Sequence, residues 1–92
     1  MKENTVISVS IVGDKKMRSL NKKYLSRDCP TDVLSFNMDE ARDDGTFYLG
    51  DVIVNKDQAA RQAQKYDNSF EEEVAELVAH GVLHLLGVNH PA

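Results

Sequence analysis

An α/β (α+β) fold, a small mixed β-sheet packed with helices around one histidine-bearing central helix, is predicted for this chain by three observations. Thr5 to Val12 alternates in strand fashion and runs straight into a helical pattern. Val52, Ile53 and Val54 form a β-branched run after a turn-rich stretch. A long apolar helical segment then ends in HGVLHLLGVNH, which holds all three histidines of the sequence. Ninety-two residues are expected to form a single domain, residues 1–92, near the lower end of what folds without staples.

In the first strand Ile7, Val9 and Ile11 share one face and Ser8 and Ser10 the other, and Gly13 and Asp14 end it. Asp14 is the expected N-cap of a helix from about Lys15 to Leu25, with Met17, Leu20, Asn21 and Tyr24 as its inward stripe. Pro30 makes Ser26 to Thr31 a loop, leading to a short strand at Asp32 to Asn37. Met38 to Phe47 is acidic and contains Asp44-Gly45, so it is read as the tip of a hairpin whose second strand is Leu49 to Val54. Being apolar on both faces, that second strand is expected to be central, with Asp32 to Asn37 its antiparallel neighbour. Asn55 is the expected cap of a helix to about Tyr66 that packs Ala59, Ala60 and Ala63. Ser69 with Glu72 reads as a capping box for the last helix, on which Glu71, Glu72 and Glu73 suit the positive N-terminal end. Phe70, Val74, Ala75, Leu77, Val78, Ala79, Val82 and Leu85 make this helix broadly apolar and predict that it is buried. Its polar stripe is expected to be Glu72, Glu73, Glu76, His80 and His84.

At about 100° per residue, His80 and His84 stand about 40° apart, one turn from each other on one helical face. This is how a helix offers two imidazoles to one metal. His90 joins them only if the chain turns back, and Gly87 is placed to do so in the left-handed conformation, with Val88 packing on Leu83. Three imidazoles and an open fourth position are the ligand set of a catalytic Zn²⁺, one per chain, borne by the central helix. Two other readings of the same residues stay open: histidines that merely face solvent, and a closed structural site completed by Cys29.

One cysteine allows no internal disulfide, and no signal peptide or run of the ~20 apolar residues that a bilayer needs is visible. A cytoplasmic protein is expected, with no membrane partner. The net charge of −4 argues against a nucleic-acid binder held by overall charge, yet six of the eleven basic residues lie between Lys15 and Arg27. A solvated helix face explains such a run, and so does contact with a phosphate backbone, for which Lys22, Lys23 and Arg27 are the candidates.

The spacing of His80, His84, Gly87 and His90 resembles that of the metzincin peptidases, but those carry a glutamate as general base directly after the first histidine, where this chain has Gly81. A metallopeptidase is therefore a distant alternative. A closer resemblance covers almost the whole chain. HGVLHLLGVNH, Asn21 to Tyr24 leading into PTDVLSF, and LGDVIV are similar, in the same order, to motifs of the YbeY-type endoribonucleases, also called rRNA maturation factors, whose signature reads HGxLHLxGYDH. The resemblance implies a zincin-like fold and a zinc-dependent endoribonuclease that cuts single-stranded RNA in ribosomal RNA maturation and ribosome quality control, in contact with a ribosomal subunit. It makes His80, His84 and His90 the metal ligands, while no catalytic side chain is assigned beyond the water that the metal activates. Glu76 and Asp51 are the candidates for orienting the imidazoles from behind. The chain departs from the family at Leu25, where an arginine usually follows the tyrosine, and at Asn89, where an aspartate precedes the last histidine; it is also shorter at both ends. The alternative implied by these departures is a non-catalytic, metal-stabilised module that binds RNA or the ribosome.

Overall fold

A computed structural model describes residues 4–87. The elements are β1 (Thr5–Val12), α1 (Asp14–Leu25), β2 (Val33–Ala41), β3 (Phe47–Asn55), α2 (Lys56–Lys65) and α3 (Phe70–Leu85). The sheet order is β1-β3-β2, with β1 parallel and β2 antiparallel to β3. The apolar run of β3 thus lies in the central strand of a mixed sheet, as its sequence predicts.

Residues paired across strands point to the same face. Ser35, paired with Val52, and Asn37, paired with Gly50, both donate to backbone carbonyls of α3, so this face is the one that α3 covers. Leu49, Val52, Val54, Ala59, Leu77 and Leu85 form the core there, joining α2 and α3 to β3. The other face carries Leu34, Phe36 and Asp51. The ring of Tyr24 meets that of Phe36 with centroids 5.1 Å apart, which puts α1 on the side of the sheet opposite α3.

Besides Tyr24 and Ala60, expected to pack inward but exposed, four expectations change. Gly13, not Asp14, is the N-cap of α1. Asp14 enters the first turn, where its carboxylate takes two bonds of 2.9 Å from Arg61 and one of 2.7 Å from Asn55, while its own N–H is met by the Asp57 carboxylate. The strand expected at Asp32 to Asn37 extends to Ala41. A bulge after Asn37, with Asp39 at φ 49°, lets pairing resume at Glu40, and only Arg42 to Thr46 is left as the turn. Val9 and Ile11 are 47% and 54% exposed, because α2 and α3 lie over β3 and β2 and leave this part of the edge strand uncovered.

The fourth change concerns α3. The helix is covered on one side only: Leu77, Gly81 and Leu85 are buried, whereas Phe70, Ala75 and Ala79 face out. Glu73, expected on the polar stripe, is buried one turn before Leu77 and accepts from Asn68 at 3.3 Å. Both predicted caps form. Asn55 accepts from the amides of Asp57 and Gln58, and Ser69 and Glu72 make a reciprocal capping box.

The Asp14 cluster has a consequence in acid. Hydrogen bonding to Arg61 first, and to Asn55 next, lowers its pKa from 3.8 to about 2. A carboxyl with a depressed folded pKa binds fewer protons when native than when unfolded, so its stabilisation is present above pH 4 and lost as pH falls towards 2. Melting temperature is expected to fall over that window, and to fall less in Asp14→Asn. An unchanged acid limb in the variant would show that other carboxylates, such as Asp28 beside Arg18, control it.

Candidate functional site

The C-terminal half of α3 is positioned by a glycine. A Cβ on Gly81 would lie 2.5 Å from Val52 Cγ1 and 3.3 Å from Ser35 Oγ, so the helix backbone sits directly on the central strand. Ser35 Oγ donates to the Gly81 carbonyl at 3.2 Å, and Asn37 Nδ2 donates to the Leu85 carbonyl at 2.9 Å, satisfying one of the carbonyls that a helix end leaves open. With this side fixed inward, His80 and His84 both face outward and exposed, one turn apart. Glu76, a turn before His80, is on the same exposed side. The chain then leaves the helix through Gly87 at φ 81°, the left-handed conformation expected of it.

The third expected ligand, His90, lies outside the described residues, as do Val88 and Asn89. Among the described residues no three histidine, cysteine, aspartate or glutamate side chains gather as a metal site. Cys29 is not brought to His80 and His84. It follows α1 on the far side of the sheet, where Asn21 Nδ2 donates to its carbonyl at 2.8 Å. Asp51 also faces away from α3, paired with Phe36 and Ser8, and accepts from the Tyr48 hydroxyl. Of the two carboxylates considered for orienting the imidazoles, only Glu76 shares their side.

Lys22, Lys23 and Arg27 are exposed at the end of α1. The structure places them on the sheet face opposite His80 and His84 but at the same end of the sheet. Phe36, which meets Tyr24 of α1, is followed directly by Asn37, which holds the last turn of α3. Sequence reasoning missed the anchoring role of Ser35 and Asn37. Its available signal was the alternation of these polar residues with Leu34 and Phe36, which marks a strand face that meets polar groups.

A family model described as Endoribonuclease YbeY matches residues 1–92. The chain belongs to the YbeY endoribonuclease family. Among relatives named Endoribonuclease YbeY, that of Carboxydothermus hydrogenoformans is 48% identical over 85 residues, covering 92% of this chain and 58% of its own length. That of Aquifex aeolicus is 49% identical over 87 residues, covering 95% and 57%. A solution structure of a Thermotoga maritima protein matches with a TM-score of 0.62 at 33% identity, covering 92% of this chain and 53% of that one. The chain thus spans a little under three-fifths of the length of these YbeY relatives. Two sequence features that resemble YbeY motifs have structural roles here: Ser35 and Asn37, in and just after PTDVLSF, hold α3, and Gly81, second in the histidine motif, seats α3 on β3.

Proposed function

We propose that this chain carries the metal centre of an endoribonuclease that cuts single-stranded RNA during ribosomal RNA maturation and quality control, with His80, His84 and His90 holding one Zn²⁺. The observation that carries the reading is the pair His80 and His84, side by side on the exposed side of a helix whose opposite side is pinned to the sheet at Gly81. Imidazole donors on a rigid element suit zinc, and a bound divalent ion supplies Lewis acidity at a phosphoryl oxygen. The chain's own residues do the rest. Gly81, Ser35 and Asn37 keep the two imidazoles in register, and Glu76, one turn before His80 on the same exposed side, is placed to orient its ring. Lys22, Lys23 and Arg27 hold the phosphates of the strand. The proposed place of action is the cytoplasm, on RNA associated with a ribosomal subunit; among the described residues no helix is long and apolar enough to cross a membrane.

The test is metal content followed by cleavage. The purified chain is expected to hold one equivalent of a divalent ion, and a ligand bound only by the native state adds stability, so removing it with EDTA should lower the melting temperature. Cleavage of an unstructured RNA should stop with it. One tightly bound equivalent retained in His84→Ala would reject the ligand set, and cleavage unaffected by EDTA would reject the reaction.

A further inference from the structure

Between Lys15 and Arg27 the chain has six basic residues and no acidic one, although the whole molecule carries −4. This concentration ends at an exposed aromatic ring. Tyr24 is 53% exposed, one flank tilted at 54° against Phe36 and Lys23 Nζ standing 5.1 Å from its centroid. Leu25 and Met38 are also about half exposed. Just beyond, α1 is closed by Ser26 at φ 56°, whose N–H bonds back to Lys22, while the Arg27 N–H bonds back to Asn21; Arg27 is thereby folded against the last turn with Lys22 and Lys23. The nearest acidic neighbour in sequence, Asp28, is engaged by Arg18 at 2.7 Å. A half-exposed ring braced by Phe36, with the Lys23 ammonium over it and Lys22 and Arg27 on the same last turn, has the two components by which single strands are held: a π-face for a base and charge for the adjoining phosphates.

We propose that Tyr24, braced by Phe36, is a stacking platform for an unpaired base of a single-stranded nucleic acid whose phosphates are met by Lys22, Lys23 and Arg27. That the strand is RNA rests on the nuclease reading above; the platform itself does not need the metal. Its position gives it a use. Phe36 supports Tyr24 on one face of β2 while Asn37 anchors the last turn of α3 on the other, and β2 is an edge strand. A strand stacked on Tyr24 reaches the histidine-bearing helix by turning around that edge, so the platform fixes which stretch of it arrives there.

The experiment is binding in EDTA, read by anisotropy of two labelled probes: an oligouridylate, and an abasic oligomer of equal length and charge. The full chain is expected to bind the base-bearing probe about tenfold or more tighter, as one stacked base allows. Tyr24→Phe should keep that preference. Tyr24→Ala and Tyr24→Leu should abolish it while still binding both probes through charge; the leucine keeps apolar volume against Phe36 without a π-face, so its loss is not one of folding, which circular dichroism checks. Equal binding of the two probes by the wild type, no binding of either, or an undiminished preference in Tyr24→Leu would overturn the platform. Because no ion is present, these outcomes are independent of the cleavage assay. Intact metal-dependent cleavage without base preference rejects the platform alone, and base preference without cleavage rejects the nuclease reading alone.

Discussion

Gly81→Ala is expected to lower the melting temperature by roughly 10 °C. Two effects oppose each other. Alanine in a helix interior is favoured over glycine by about 1 kcal/mol. Against this, the new methyl would sit 2.5 Å from Val52 Cγ1 and 3.0 Å from Cγ2, closer than side chains come. Val52 is fully buried in the central strand, and its β-branched side chain has few rotamers to yield into. Relief therefore means lifting α3, which stretches the bonds from Ser35 and Asn37. Overpacking of this kind costs typically 1–3 kcal/mol, and a contact against a stiff, buried side chain belongs at the upper end. The balance is about 2 kcal/mol of destabilisation, each kcal/mol being worth about 4–8 °C in a domain of this size. Adding Val52→Ala to Gly81→Ala should cost less than the sum of the two single changes, since the smaller side chain admits the methyl. A Gly81→Ala chain that melts at or above the wild type would show that helix propensity outweighs the clash.

Leu25→Arg is expected to raise cleavage of single-stranded RNA, weak but measurable in the wild type, by on the order of 10²–10³. A phosphodiester gains negative charge on its non-bridging oxygens as it is attacked, and a guanidinium can bond two of those oxygens at once. Leucine offers neither charge nor donor. Leu25 ends α1 with 48% of its surface exposed, so an arginine enters there without disturbing a core. The rival is Arg27, two residues on and folded back against the same turn. Rates for wild type, Leu25→Arg and Arg27→Ala under one set of conditions separate them. Strong metal-dependent cleavage by the wild type that disappears in Arg27→Ala, with no gain from Leu25→Arg, would assign the phosphate role to Arg27.

The features legible in the sequence are those set by neighbours along the chain. Asn55 and Ser69 cap their helices through amides two or three residues ahead, and the β-branched run of β3 states its own burial. What the sequence could not carry is the rotation of each element about its axis. Glu73 falls on a polar helical stripe yet is buried, because the side of α3 that meets the sheet is chosen by Gly81 against Val52, a contact between residues 29 apart. Val9 and Ile11 have the pattern of an inward face, but whether a face is covered depends on where α2 and α3 come to rest. At the candidate site the spacing of His80 and His84 gives their shared side of α3, since helix geometry alone determines it. It says nothing of Asp51, whose direction depends on strand register.

The mixed sheet also sets an order of assembly. Pairs between β2 and β3 close from Ala41 and Phe47, six residues apart, whereas every pair between β1 and β3 joins residues 42 or 43 apart. By loop-closure entropy the longer connection costs about 2 kcal/mol more, before any contact repays it. The hairpin is therefore the part that forms on local terms, and β1 is the late arrival, joined to a template already made. It is also the strand whose outer residues gain least from burial, so the last strand to be added is the first to be released. Its fraying exposes the backbone of β3, the strand on which α3 and its histidines rest.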